Sequence, residues 1–229
     1  MGLYMKSQPY TRGQVEWALW RYFRIEPNAN DNPPTIFSTR IKRLLELDRV
    51  GIEGAPGFAF SSAATTGRGS NANFTAFDVF CLAVAMDLLD TGFKQSEIVF
   101  FLAFTRSSLE REFRYMMKHP FPLRQNAASE DFPELPTYMA NGFQYADGRV
   151  YMGTRKVELK EFVSDTTSED QKRPQIQTPL FFRGLEALVS ELNANPIFYN
   201  KLTLIELSQP ARRINELLQD APEIKRGRT

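Results

Sequence analysis

The sequence predicts an α+β fold that is mainly α, and three observations carry that expectation. Apolar side chains recur at helical spacing through most of residues 12–118. Residues 123–136, LRQNAASEDFPELP, are polar and acidic, contain two prolines and show little periodicity, so they read as a linker. The remainder mixes short alternating runs with helical ones. A mostly helical part at residues 1–122 and a small α+β part at residues 137–229 are therefore expected.

In the first part, Tyr10-Thr11-Arg12 precedes GQVEWALWRYF, where Val15, Ala18, Leu19, Tyr22 and Phe23 make a helical stripe flanked by Trp17 and Trp20. The Pro- and Asn-rich EPNANDNPPT ends that helix. Ser38 is then the expected N-cap of a second helix, TRIKRLLELDRV, in which Ile41, Leu44, Leu45 and Asp48 separate an apolar from a polar side. Residues 51–73 turn to Gly, Ala, Ser and Thr around Phe58 and Phe60, and read as a hairpin or loop. Thr75 and Asp78 have capping-box spacing at the start of FTAFDVFCLAVAMDLLDTGFKQSEIVFFL, an apolar helix stopped at Gly92 and restarted over 95–104. SSLEREFRYMMKHP adds an amphipathic stretch with Leu109, Phe113, Met116 and Met117 on one side.

In the second part, YMANGFQYADGRVYMGT predicts two strands about Asp147-Gly148, and VELKEFV is a candidate third with less regular alternation. SDTTSEDQKRPQIQ reads as a solvated loop. Thr178 and Pro179 have the chemistry of a cap and first turn for a helix carrying Phe182, Leu185, Leu188, Val189 and Leu192. KLTLIEL reads as a strand, and PARRINELLQ as a last helix.

Composition bounds the function. The 229 residues, 42% of them hydrophobic, suffice for a sizeable core, and the net charge of +1 divides into +3 for residues 1–125 and −2 for the rest. That balance permits nucleic-acid binding only where the cations gather on one face. With Cys81 as the single cysteine and His119 as the single histidine, neither an intrachain disulfide nor a Cys/His zinc cluster can form. No metal or cofactor is expected. The start MGLYMKSQPY lacks a signal-peptide core, Lys6 departs from the myristoylation pattern, and no apolar run reaches the roughly 20 residues of a span, so a cytoplasmic protein is expected. Phosphate-cradling GxxxxGKS/T, GxGxxG after a strand and a GxSxG elbow do not occur, and the expectation is of a protein that is not an enzyme.

YTRGQVE at 10–16, FSTRIKRLLELDR at 37–49 and, above all, residues 74–102 resemble the DNA-binding domain of MerR-type regulators. The resemblance implies a winged helix-turn-helix over residues 1–122, with residues 74–102 as the helix pair that braces it. It also implies a homodimer on a pseudo-palindromic site in double-stranded DNA, with the remaining domain sensing a small-molecule effector or binding a protein partner. The sequence departs from the pattern in EPNANDNPPT, longer than a tight turn, in Lys94 where a capping Ser or Thr is expected, and in a long wing. Only Ser108–Lys118 stands where a long dimerising helix belongs, which assigns dimer contacts to the second domain.

Independently of the resemblance, a recognition helix keeps one face in the core and turns cations to a groove. The second helix has that pattern. Arg40 and Arg43, three apart, are the candidates for base edges, beside Thr39; Lys42, Arg12, Arg21 and Arg24 are the candidates for phosphates; Arg68 in the hairpin tip is a candidate for a minor groove or the backbone. Each cation is equally at home on an ordinary solvated face. The competing reading of the whole chain is a non-enzymatic adaptor that uses the same fold to dock on a protein. Trp17 and Trp20 read as core or interface residues, Cys81 as core filling, and His119 as a helix-end cap.

Overall fold

The computed structural model describes residues 9–24, 32–51, 55–61, 73–119, 149–154, 178–195 and 202–223. Among them are six α-helices and a three-stranded antiparallel sheet, an α+β arrangement that is mainly α. Helix α1 (Arg12–Phe23) starts from a capping box: Gln14 N–H donates to Thr11 Oγ1 while Gln14 Oε1 accepts from Thr11 N–H. Just ahead of it Tyr10 pairs with Phe74 through two backbone hydrogen bonds of 2.8 and 2.9 Å, tying the chain before α1 to the chain before α3.

Helix α2 (Thr35–Val50) begins earlier than the sequence reading placed it, and Ser38 is not its cap. Pro34, extended at φ −63°, is the capping residue, and its carbonyl accepts from Phe37 and Ser38. The reason is local. Proline presets the backbone angle for the residue at a helix entrance, so the helix starts directly after Pro33-Pro34 and swallows Ser38 and Thr39.

Helix α3 (Ala76–Asp90) is apolar almost all round because it is buried almost all round, from Phe77 to Leu88. The expected Thr75–Asp78 capping box opens it. Its end is a Schellman turn: Gly92 has φ 87°, its N–H donates to the Leu89 carbonyl, and Phe93 N–H donates to the Leu88 carbonyl. Phe93 is buried beneath the corner. Helix α4 (Gln95–Lys118) then runs unbroken for 24 residues, where the sequence reading had two stretches. Its first turn is closed by Glu97 Oε2 accepting from Lys94 N–H at 2.9 Å, so Lys94 needs no hydroxyl to start it.

Strand β1 (Val150–Thr154) is central, between β2 (Leu180–Arg183) and β3 (Thr203–Glu206). The helix expected from Pro179 is corrected here. Residues 180–183 are strand, and helix α5 (Leu185–Ala194) follows only after Gly184 at φ 93°. Pairing with β1 outweighs the local cap chemistry because it gives both phenylalanines apolar partners: Phe181, opposite Met152, is half-buried against the main core, and Phe182, opposite Tyr151, is buried with Leu188 of α5. The strands expected at 138–148 and 157–163, the loop at 164–177 and the linker at 123–136 lie outside the described residues.

Helix α6 (Ser208–Gln219) lies against α1, α3 and α4. Ala211, Ile214, Leu217 and Leu218 therefore join Val15, Leu19, Leu82 and Phe113 in one apolar interior, which Val150, Met152 and Ile205 extend through the sheet. The boundary expected between residues 122 and 137 falls outside the described residues, and the elements on either side of it share this core.

Candidate nucleic-acid interface

The inner side of α2 is Phe37, Ile41, Leu44 and Asp48, spaced i, i+4, i+7, i+11 and all buried. Helical geometry then orders the residues of the other side: the exposed Arg40 and Arg43 on one flank, the half-buried Thr39 and exposed Glu46 between, the exposed Lys42 and Arg49 on the opposite flank. Glu46 is the only exposed acid of this helix, and it stands 3.7 Å from Lys42 in an exposed pair of little energetic weight. Thr39 turns its hydroxyl back to the Thr35 carbonyl at 2.7 Å. Four of the sequence-predicted site residues are thus on the outer side of α2, with Arg40, Lys42 and Arg43 exposed and Thr39 half-buried.

The others are placed differently. Arg12 lies at the start of α1 and is paired with Glu16 at 2.6 Å. Arg21 and Arg24 lie at the opposite end of that helix, about 14 and 18 Å from Arg12 by the rise per residue. The Arg21 guanidinium stacks over Trp17 at 4.5 Å, and Arg24 is the C-cap. Trp20 and Phe23 pack against Phe37, so this basic end of α1 adjoins the start of α2. Arg68 lies outside the described residues.

The sequence reading missed a buried polar chain behind α2. Asp48, 5% exposed, accepts from Ala59 N–H at 2.6 Å and Phe60 N–H at 3.0 Å. Arg106 of α4 donates to the Ala59 carbonyl at 2.7 Å and to Asp78, and its guanidinium lies 4.9 Å from the centre of the Phe77 ring. Burial raises the Asp48 carboxyl above the usual range, against the two backbone donors and the Arg106 charge that lower it. A second pair lies further along α4, where the buried Glu112 accepts from Arg183 Nε at 2.9 Å and from Arg111 at 3.0 Å. Arg183 also lies over Tyr115, and its hydrogen bond to Glu112 raises its pKa. The signal was present in the sequence: Asp48 follows Leu44 by four, Arg106 follows Leu102 by four, and Glu112 follows Leu109 by three, each a charge in an apolar register.

Tyr22, Asp87 and Glu206 form a third group, where α1, α3 and β3 meet. Burial raises all three, and Asp87, with Asp90 beside it, is pushed up to about 6. Glu206 accepts from Ser208 and Gln209 N–H at the start of α6, which gives it a capping task. Among the described residues no group of His, Cys, Asp and Glu is arranged to hold a metal, and no helix is long and apolar enough to cross a membrane. Cys81 is fully buried, and burial pushes its thiol up, which leaves little reactive thiolate. No known protein family, curated protein or solved structure matches the chain.

Proposed function

We propose that this chain is a sequence-specific DNA-binding regulator that lays the outer side of α2 in a major groove. The observation that carries the reading is the division of charge on α2: Arg40, Lys42, Arg43 and Arg49 are exposed, while Asp48 is turned inward and spent on backbone donors. The flank order refines the roles. Thr39 and Glu46 lie at the centre of the exposed side; Arg43 and Arg40, on one flank, reach base edges beside Thr39, while Lys42 and Arg49, on the other, face the opposite groove wall and neutralise phosphates. Arg21 and Arg24, at the adjoining end of α1, add backbone contacts. The winged helix-turn-helix resemblance supports the same placement, and nothing in the mechanism is covalent.

A homodimer on a pseudo-palindrome is part of this reading. The apolar side of α4 cannot supply its seam, because Leu109, Phe113 and Met116 are already buried in the chain's own core. Dimer, effector or protein contacts therefore fall to the C-terminal part. The adaptor reading draws on Ile36 and Val50, 69% and 80% exposed at the two ends of α2, which suit a protein partner better than phosphates.

Arg43→Ala and Lys42→Ala separate the readings. Losing a bidentate base contact costs roughly 1–3 kcal/mol and relaxes preference at one position, whereas losing a phosphate contact weakens all duplexes and lowers the salt slope by about one. Affinities on a selected duplex and on its scrambled form, with helical circular dichroism intact, distinguish the two. If neither substitution changes either affinity, α2 is a solvated or protein-docking helix and the adaptor reading stands.

A further inference from the structure

We propose that Arg106 is a positioning residue for the α2 surface, acting through the Ala59-Phe60 backbone and the Asp48 carboxylate. The proposal rests on the DNA reading above and adds to it the part that fixes where the helix points. The Ala59-Phe60 segment has no exposed side chain and is gripped from two sides. Its two N–H groups donate to Asp48 in the last turn of α2; its Ala59 carbonyl accepts from Arg106 Nη1 of α4 at 2.7 Å. The other arm of the same guanidinium donates to Asp78 Oδ1, and Asp78 Oδ2 accepts from Thr75 N–H and Oγ1 at the start of α3. One partly buried cation thus joins the end of α2, the start of α3 and the middle of α4.

Asp48 lies five residues beyond Arg43, about 7.5 Å along the helix axis, so a shift at the clamp moves the base-reading residues with it. Direct readout tolerates little of this, because a site of this kind works within about 0.5 Å of its geometry. Phosphate attraction is longer in range and tolerates more. Lysine cannot replace Arg106 here. Its ammonium keeps the charge but lacks the planar fork that reaches the Ala59 carbonyl and Asp78 Oδ1 together.

The test uses the full chain and Arg106→Lys, with two probes: the duplex that wild type selects from a randomised library, and its scrambled form. The expected result is that the selected-to-scrambled affinity ratio falls about tenfold, the loss of roughly one base contact, while scrambled-duplex affinity stays within about twofold. Hydrogen exchange at the Ala59 and Phe60 amides should accelerate in the same variant. Leu188→Ala, in the separate cluster under α5, serves as the control: at a matched loss of melting temperature it leaves the ratio unchanged. Should Arg106→Lys fail to fold, Asp48→Asn attacks the same segment from the α2 side, with the same expected fall. An unchanged ratio, or amides as protected as in wild type, overturns the positioning role. A wild-type protein that binds no duplex removes the DNA reading instead, and the amide exchange then decides the clamp by itself.

Discussion

Replacing Ile214 with alanine should destabilise α1, a helix nearly two hundred residues away in sequence. Ile214 is fully buried on α6, in the interior shared with Val15, Ala18 and Leu19 of α1. The substitution removes three carbons, worth about 0.8 kcal/mol each in transfer, and the cavity left between packed helices adds about 1 kcal/mol, for a total near 3 kcal/mol. In a chain of this size that is a fall in melting temperature of about 6–12 °C. The assay is specific because both tryptophans of the chain, Trp17 and Trp20, lie on α1. Their fluorescence reports the N-terminal helix alone. A shared core requires the tryptophan transition to shift together with the far-ultraviolet circular dichroism. Two independent domains, at residues 1–122 and 137–229, would leave the tryptophan signal where it was; that result would refute the single interior. Residues 1–125 alone would expose the groove that α6 fills, so the full chain is the protein to test.

The α3–α4 corner makes a second claim: Gly92→Val forces a β-branched residue to φ 87°, costing on the order of 1–2 kcal/mol, while Gly92→Asn costs less, and equal melting temperatures for all three proteins would argue against the corner. Asp87 predicts a pH dependence. Its folded pKa of about 6 lies above the unfolded 3.8, so the fold favours the protonated form; the stability this contributes is present below pH 3.8 and is lost as pH rises through 6. Asp87→Asn should therefore stabilise the protein at pH 7–8 by on the order of 2 kcal/mol and flatten the melting temperature between about pH 4 and 7, whereas an unchanged slope would assign that window to other groups. Arg183→Met should cost about 1–2 kcal/mol, discounted because Arg183 is half exposed and Arg111 still faces Glu112, with chemical denaturation as the measure.

The sequence was most legible where one local interaction decides the outcome. The Thr75–Asp78 box, the Gly92 stop and the apolar stripes of α1 and α2 all follow from residues within one or two turns of each other. It was least legible where a distant partner overrides local chemistry. Thr178-Pro179 has the composition of a helix start, yet residues 180–183 pair with β1 some thirty positions earlier, and only Gly184 at positive φ releases the helix. Pro34 could have been read as the entrance to α2, since its fixed backbone angle is a local property. The candidate site divides along the same line: the exposed cations of α2 follow from helical periodicity, whereas the partners of Asp48 and Arg106 are brought together only by tertiary packing. The registers of Asp48, Arg106 and Glu112 among Leu44, Leu102 and Leu109 mark them as charges turned toward the core without saying what pairs with them.

The central claim is that α2 meets duplex DNA through its cations, and the salt dependence of binding tests it most directly. Full-length protein titrated into labelled duplex over a range of salt concentrations should show affinity that falls linearly on a double-logarithmic plot, with a slope of about 0.9 per phosphate neutralised, and Lys42→Ala should reduce that slope by about one. Absence of duplex affinity at low salt, in protein whose circular dichroism shows it folded, would contradict the claim.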